Sequence, residues 1–172
     1  METCEECGFA FEAVTRDEIG PRAAAGAQAI AAVLVAEPAR ALVRPFTERW
    51  SMVEYGAHVR DVMLTIRDRL VVGLVEDNPG FKPVYREERI SLGLYRADTA
   101  PAVAHEIASA AAMFGRLFDA IDPDLLERPV QYGFPDPLPR TLFWMGRQTV
   151  HETEHHLGDI RENLRLVATA DR

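Results

Sequence analysis

Thr141-Leu-Phe-Trp-Met145-Gly-Arg-Gln-Thr149-Val-His151-Glu152-Thr153-Glu154-His155-His156-Leu157-Gly158-Asp159-Ile160 is the stretch on which both fold and chemistry turn. Leu142, Met145, Thr149, Thr153, Leu157 and Ile160, continued by Leu164 and Val167, recur at the spacing of one helix face. Thr141 follows a Pro-rich segment at 135–139 and is a candidate N-cap. Three further stretches read the same way. Residues 21–43 are Ala-rich, with Pro21 suited to a first turn and Pro38 a point of interruption. Ser51 and Glu54 form a capping box ahead of Tyr55, Val59, Val62, Ile66 and Leu70, and Asp77-Asn78-Pro79-Gly80 ends that run. Asp98 or Thr99, with Pro101 in the first turn, opens a helix carrying Val103, Ile107, Ala110, Phe114, Leu117 and Ile121.

Strand-like alternation is absent over any useful length. The expectation is an all-α four-helix bundle with two long connections, 76–98 and 122–140, of the kind that cover or line a site. The chain has 172 residues, enough for one domain, with 1–16 as an N-terminal extension carrying Cys4-x-x-Cys7. With 19 Lys and Arg against 27 Asp and Glu, the formal charge is −8, which argues against a nucleic-acid partner. The longest continuous apolar run, 29–36, is too short for a membrane span, and the acidic start is unlike a signal peptide. These features predict a cytoplasmic protein with no membrane partner.

Three of the five histidines fall within 151–156. A metal ion can be held by a pair four apart on a helix, and two pairs exist, His151/His155 and Glu152/His156. At about 100° per residue, His156 lies about 60° and Glu152 about 100° from the centre of the apolar stripe, bordering the interior. His151 and His155 lie near ~160°, on the predicted solvent side. His58, about 80° off the stripe of the second helix, is the best third ligand, with His105 in reserve. Without a metal, the same residues are a packed histidine and an exposed helix pair.

Thr149 and Thr153, one turn from the ligands, either support them or pack in the core, while Asp159 and Arg161 are expected outside. Arg40, Arg44 and Arg49 either bind an anion or pair with Glu. Tyr132, Phe134, Phe143 and Trp144 either cap a pocket or join a core or dimer contact. Cys4 and Cys7 fill half of a four-ligand zinc site. They read either as reduced thiols on a tail tethered by Phe9 and Phe11, or as a zinc pair that borrows His155 or a second chain. Glu5 and Glu6 between them argue against a reactive redox pair.

Trp50-Ser51-x-x-Glu54-Tyr55-x-x-His58-Val59-x-Asp61-Val62, the 151–160 segment and the opening Cys-x-x-Cys-Gly-Phe together resemble the DinB-like superfamily. The nearer resemblance is to its actinobacterial branch related to mycothiol-dependent maleylpyruvate isomerase. That resemblance implies a four-helix bundle of the DinB/YfiT-like kind holding a divalent metal, zinc or nickel. One ligand comes from the second helix and an i,i+4 pair from the last; a Glu-then-His pair, as in the isomerase branch, maps onto Glu152 and His156 with His58. It further implies a low-molecular-weight thiol cosubstrate in a transferase or isomerase reaction on a small-molecule substrate, with a homodimer as the expected assembly; a three-ligand metal with an open position could instead activate water for hydrolysis. The competing expectation is a non-catalytic metal- or ligand-binding bundle.

Overall fold

The computed structural model describes residues 2–133 and 135–170. Four long helices, α1 (Arg16–Ala36), α2 (Met52–Val75), α4 (Ala100–Asp119) and α5 (Leu142–Ala170), form the bundle, and a short α3 (Arg86–Ser91) lies in the first connection. α4 and α5 each pack against both α1 and α2, so α1 and α2 sit across one diagonal and α4 and α5 across the other. The fold is the expected four-helix bundle, and α2 and α5 are neighbours along their lengths.

The core follows the predicted stripes. Val59, Ile66 and Leu70 of α2, Val103, Ile107 and Phe114 of α4, and Leu142, Met145 and Ile160 of α5 are all fully buried. The α2 cap forms as read: the Glu54 amide donates to Ser51 Oγ, and the Glu54 carboxylate accepts from the Ser51 amide at 2.7 Å. α1 starts five residues before the expected Pro21, because the Glu18 carboxylate takes the Thr15 amide at 2.8 Å and caps the chain there. Pro21 sits inside the helix at the cost of one hydrogen bond, and α1 ends at Ala36 ahead of Pro38. By length and composition α1 is apolar enough to cross a membrane, which the short run at 29–36 did not suggest. In this fold its Ile19, Ala23, Ala27, Ile30 and Leu34 are completely covered by the bundle.

Gly26 of α1 lies where α5 comes close, and a Cβ there would stand 2.7 Å from both Cβ and Oγ1 of Thr153. Gly26→Val is expected to destabilise the fold by about 1–3 kcal/mol through overpacking, read as a lowered urea midpoint. An unchanged midpoint would show that the two helices can separate freely.

Strands are a correction to the sequence reading. β1 (Gly80–Phe81), β2 (Pro129–Tyr132) and β3 (Leu138–Thr141) make a small sheet in the order β1-β2-β3. β1 pairs with β2 in parallel and β2 with β3 in antiparallel register. Segments this short show no legible period-two pattern. The sheet joins the two long connections to each other, and so sets what overhangs the α2–α5 face.

Candidate metal centre

His58 comes from the second turn of α2, and Glu152 and His156 from the middle of α5. Each imidazole turns its Nε2 toward one carboxylate oxygen: His58 Nε2 is 3.2 Å and His156 Nε2 3.4 Å from Glu152 Oε2. Four-coordinate zinc with nitrogen and oxygen ligands at about 2.0–2.1 Å places its ligand atoms about 3.3 Å apart, so the donor set fits such an ion. His58 and His156 are almost fully buried.

Two neighbours hold this cluster in place. Gln148 Nε2 donates to Glu152 Oε1 at 2.6 Å, which leaves Oε2 to the imidazoles. The ring Nδ1 of His156 lies 2.9 Å from Asp159 Oδ2; a proton there leaves Nε2 as the lone-pair nitrogen. Burial opposes charge on Glu152, but its contacts with His156 and His58 hold the carboxyl well below the usual range. Burial also works against an imidazolium at His156, yet Asp159 and Glu152 together push its pKa up to about 9. A bound cation would take the place of the His156 proton that otherwise balances this buried carboxylate. Asp159→Ala is expected to weaken zinc affinity about 10–100-fold while leaving the fold intact, measured by competition with a chromophoric chelator. Wild-type affinity in that variant would show that Asp159 does not orient His156.

Trp50 and Tyr55 wall the cluster, with the Trp50 ring edge-on to His58 and the Tyr55 ring 5.3 Å from His156. Trp50 is itself positioned by Asn163 of α5, whose Nδ2 donates to the Trp50 carbonyl at 2.7 Å. On the other side a cavity of about 380 Å³ opens, with His58, Val62, Arg69, Tyr132, Gln148 and Glu152 among its lining. Residues 82–88 of the first connection form its far wall. Arg69 is held by the Lys82 carbonyl and the Phe81 and Tyr132 rings. Among the described residues no carboxylate pairs with it.

The remaining candidates are sorted by the structure. His105 is exposed on α4, diagonally across the bundle from α5. Thr149 and Thr153 are buried, and their hydroxyls donate to the Met145 and Val150 carbonyls of their own helix, so they pack and do not reach Glu152. Asp159, expected outside, supports His156, whereas Arg161 is exposed. Arg40, Arg44 and Arg49 pair with Glu37, Glu54 and Asp159. Tyr132 lines the cavity, Trp144 stacks on Phe11, and Phe143 lies under Arg147. Phe134 lies outside the described residues. Gln148, Asn163 and Arg69 do not stand out in the sequence; only Gln148, four residues before Glu152, carries a helical-spacing signal.

His151 and His155 are not on a solvated face. The 2–15 segment lies over them, with Phe9 and Phe11 rings 5.2 and 5.3 Å from His151. Burial lowers the His151 pKa, and burial also raises that of the Cys7 thiol.

Residues 23–160 match a family model described as the DinB superfamily. Among solved structures the chain is similar to one described in the words "YfiT from Bacillus subtilis is a probable metal-dependent hydrolase with an unusual four-helix bundle topology". That similarity has a TM-score of 0.80 at 13% identity and covers 96% of this chain and 92% of that one. No curated protein matches the chain at a significant level.

Proposed function

The chain belongs to the DinB superfamily, and from that premise we propose that it is a divalent-metal-dependent enzyme in which His58, Glu152 and His156 hold the ion. The observation that carries this reading is the convergence of two imidazole nitrogens on one buried carboxylate oxygen beside an open cavity. Zinc, or nickel in its place, is the ion that this donor set suits. Three protein ligands leave a position for a reactant, and the bound ion supplies a Lewis acid that lowers the pKa of a low-molecular-weight thiol or of water.

The chain's own groups do the rest. Gln148 and Asp159 keep Glu152 and His156 in their ligating orientation, and the Trp50 and Tyr55 rings pack against His58 and His156. Arg69 supplies a positive charge in the cavity wall, so the substrate is a small electrophile carrying an anionic group. This site accommodates two reaction types. One is transfer or isomerisation with a thiol such as mycothiol; the other is hydrolysis, the activity ascribed to YfiT.

Metal content of the purified chain, beside a His58→Ala/His156→Ala variant, tests the site. Activity toward small anionic electrophiles, with and without added thiol, tests the reaction. The expected result is metal-dependent turnover that the double variant lacks. Metal retained without turnover of any such electrophile would leave a non-catalytic binding bundle. In an active preparation, Arg69→Gln is expected to raise KM for an anionic substrate about tenfold or more, with a smaller effect on kcat. An unchanged KM would remove the anion from the proposal.

A further inference from the structure

The face of α5 opposite the bundle interior carries a second cluster of ligating side chains. One ligand atom each from Cys4, Cys7, His151 and His155 lies within 4.8 Å of the others. The cysteines sit on a tight hairpin. Thr3 bridges to Ala10, the Cys4 amide donates to the Phe9 carbonyl at 2.9 Å, and the Gly8 amide donates to the Cys4 carbonyl at 2.9 Å. Gly8 takes a left-handed φ of +74°, which lets the chain reverse directly after Cys7. Both thiols therefore leave one turn on the same side, and the histidines reach them from successive turns of α5.

Three imidazole nitrogens of the cluster are unsatisfied. Both ring nitrogens of His151, and Nδ1 of His155, are buried without a hydrogen-bond partner. His155 Nε2 faces the Glu6 and Asp159 carboxylates, so its buried Nδ1 is the nitrogen left for a ligand. Buried imidazole nitrogens without partners are costly and uncommon, and a ligand is one way they are satisfied. The segment is meanwhile pinned on both sides of the cysteines. Phe11 stacks on Trp144, and the Glu2 carboxylate accepts from Arg140 at 2.9 Å and from the Trp144 indole at 3.0 Å.

We propose that Cys4, Cys7, His151 and His155 form a closed, structural zinc site that clasps the N-terminal segment to α5. The Cys-x2-Cys and His-x3-His spacings are those of Cys2His2 zinc sites, although here the two pairs lie far apart in the chain. Ligand atoms of such a site stand about 3.3–3.8 Å apart, so closure needs only a small contraction of the cluster. Two thiolates and two neutral imidazoles balance the ion's charge, and four protein ligands leave no position for a reactant. The role is thus distinct from that of the α2–α5 centre. Because His151 and His155 alternate with Glu152 and His156 along the same turns, the clasp also fixes the part of α5 that carries the other site.

The test uses the full chain purified under reductant and loaded with zinc, then with cobalt in its place. The expected result is about two zinc ions per chain in the wild type and about one in each of Cys4→Ser/Cys7→Ser and His58→Ala/His156→Ala. Cobalt should give thiolate charge-transfer bands in the near ultraviolet. The His58/His156 variant should keep those bands and the cysteine variant should lose them, which separates failure of this site from failure of the other. Should the cysteine variant not fold, the wild type still decides the matter, since stoichiometric zinc should slow labelling of both thiols by a disulfide reagent at least tenfold. Zinc stoichiometry unchanged by cysteine substitution, absence of thiolate bands, or thiols equally reactive with and without zinc would each overturn the proposal.

Discussion

Zinc added to the metal-stripped chain is expected to stabilise it strongly, and Glu152→Ala is expected to remove the share of that gain belonging to the α2–α5 centre. An ion present at a thousand times its Kd adds about 4 kcal/mol to unfolding stability. Glu152 is the only anionic member of the set, and both imidazoles point at its one free oxygen. Its loss leaves two neutral nitrogens on different helices, with Gln148 deprived of its acceptor. An affinity loss on the order of 100-fold corresponds to about 2.7 kcal/mol of the zinc-dependent stabilisation. The measurement is the urea midpoint with and without zinc in both proteins. An equal zinc-dependent shift in wild type and Glu152→Ala would show that these residues do not hold the ion.

Asp61→Ala is expected to cost about 3 kcal/mol, because it removes the carboxylate from a largely buried cluster and strands its partners. Asp61 accepts from Arg60 Nε at 2.9 Å and from the Tyr95 hydroxyl at 2.8 Å, and it pairs with Arg89. Burial opposes charge on Arg60, but Asp61 and Glu106 hold its pKa well above the ordinary value. Burial and the Asp61 contact likewise raise the Tyr95 pKa far above that of a free phenol. Arg89 also donates to the Val84 carbonyl at 3.0 Å, so one carboxylate on α2 ties down the connection that walls the cavity. Tyr95→Phe, which removes one hydroxyl, should cost only about 1 kcal/mol. Hydrogen exchange across 83–95 should accelerate more in Asp61→Ala than exchange in the α4 core. A cost below about 1 kcal/mol for Asp61→Ala, with unchanged exchange, would mean that the connection is held by its apolar contacts instead.

The parts of the fold legible in sequence were those set by neighbours along the chain. Ser51 with Glu54 and Thr99 with Pro101 marked helix starts that the structure contains, and the stripes of α2, α4 and α5 are its core. Pro21 misled for a local reason: proline is a common start signal, but the Thr15–Glu18 cap five residues upstream outweighs it. The small sheet was invisible because β1 has two residues and its partner β2 begins roughly fifty positions later. Arg69 gave no signal either, since it matters only once the rings of Phe81 and Tyr132 are brought to it.

By itself the sequence determined four amphipathic helices, the side of α5 on which Glu152 and His156 lie, and the candidacy of His58. Those follow from the 3.6-residue turn, which fixes directions relative to one apolar stripe. Only the tertiary structure decided that His58 meets Glu152 across 94 positions of chain. It alone decided that the 2–15 segment, whose tethering by Phe9 and Phe11 the sequence suggested, covers both His151 and His155 as a second layer. A helical period gives the angle of a side chain from one core, and any face not turned toward that core reads as solvent. Whether another segment returns to cover such a face is decided by burial of Phe9 and Phe11, whose contacts on α5 lie about 140 residues away and leave no trace in local spacing.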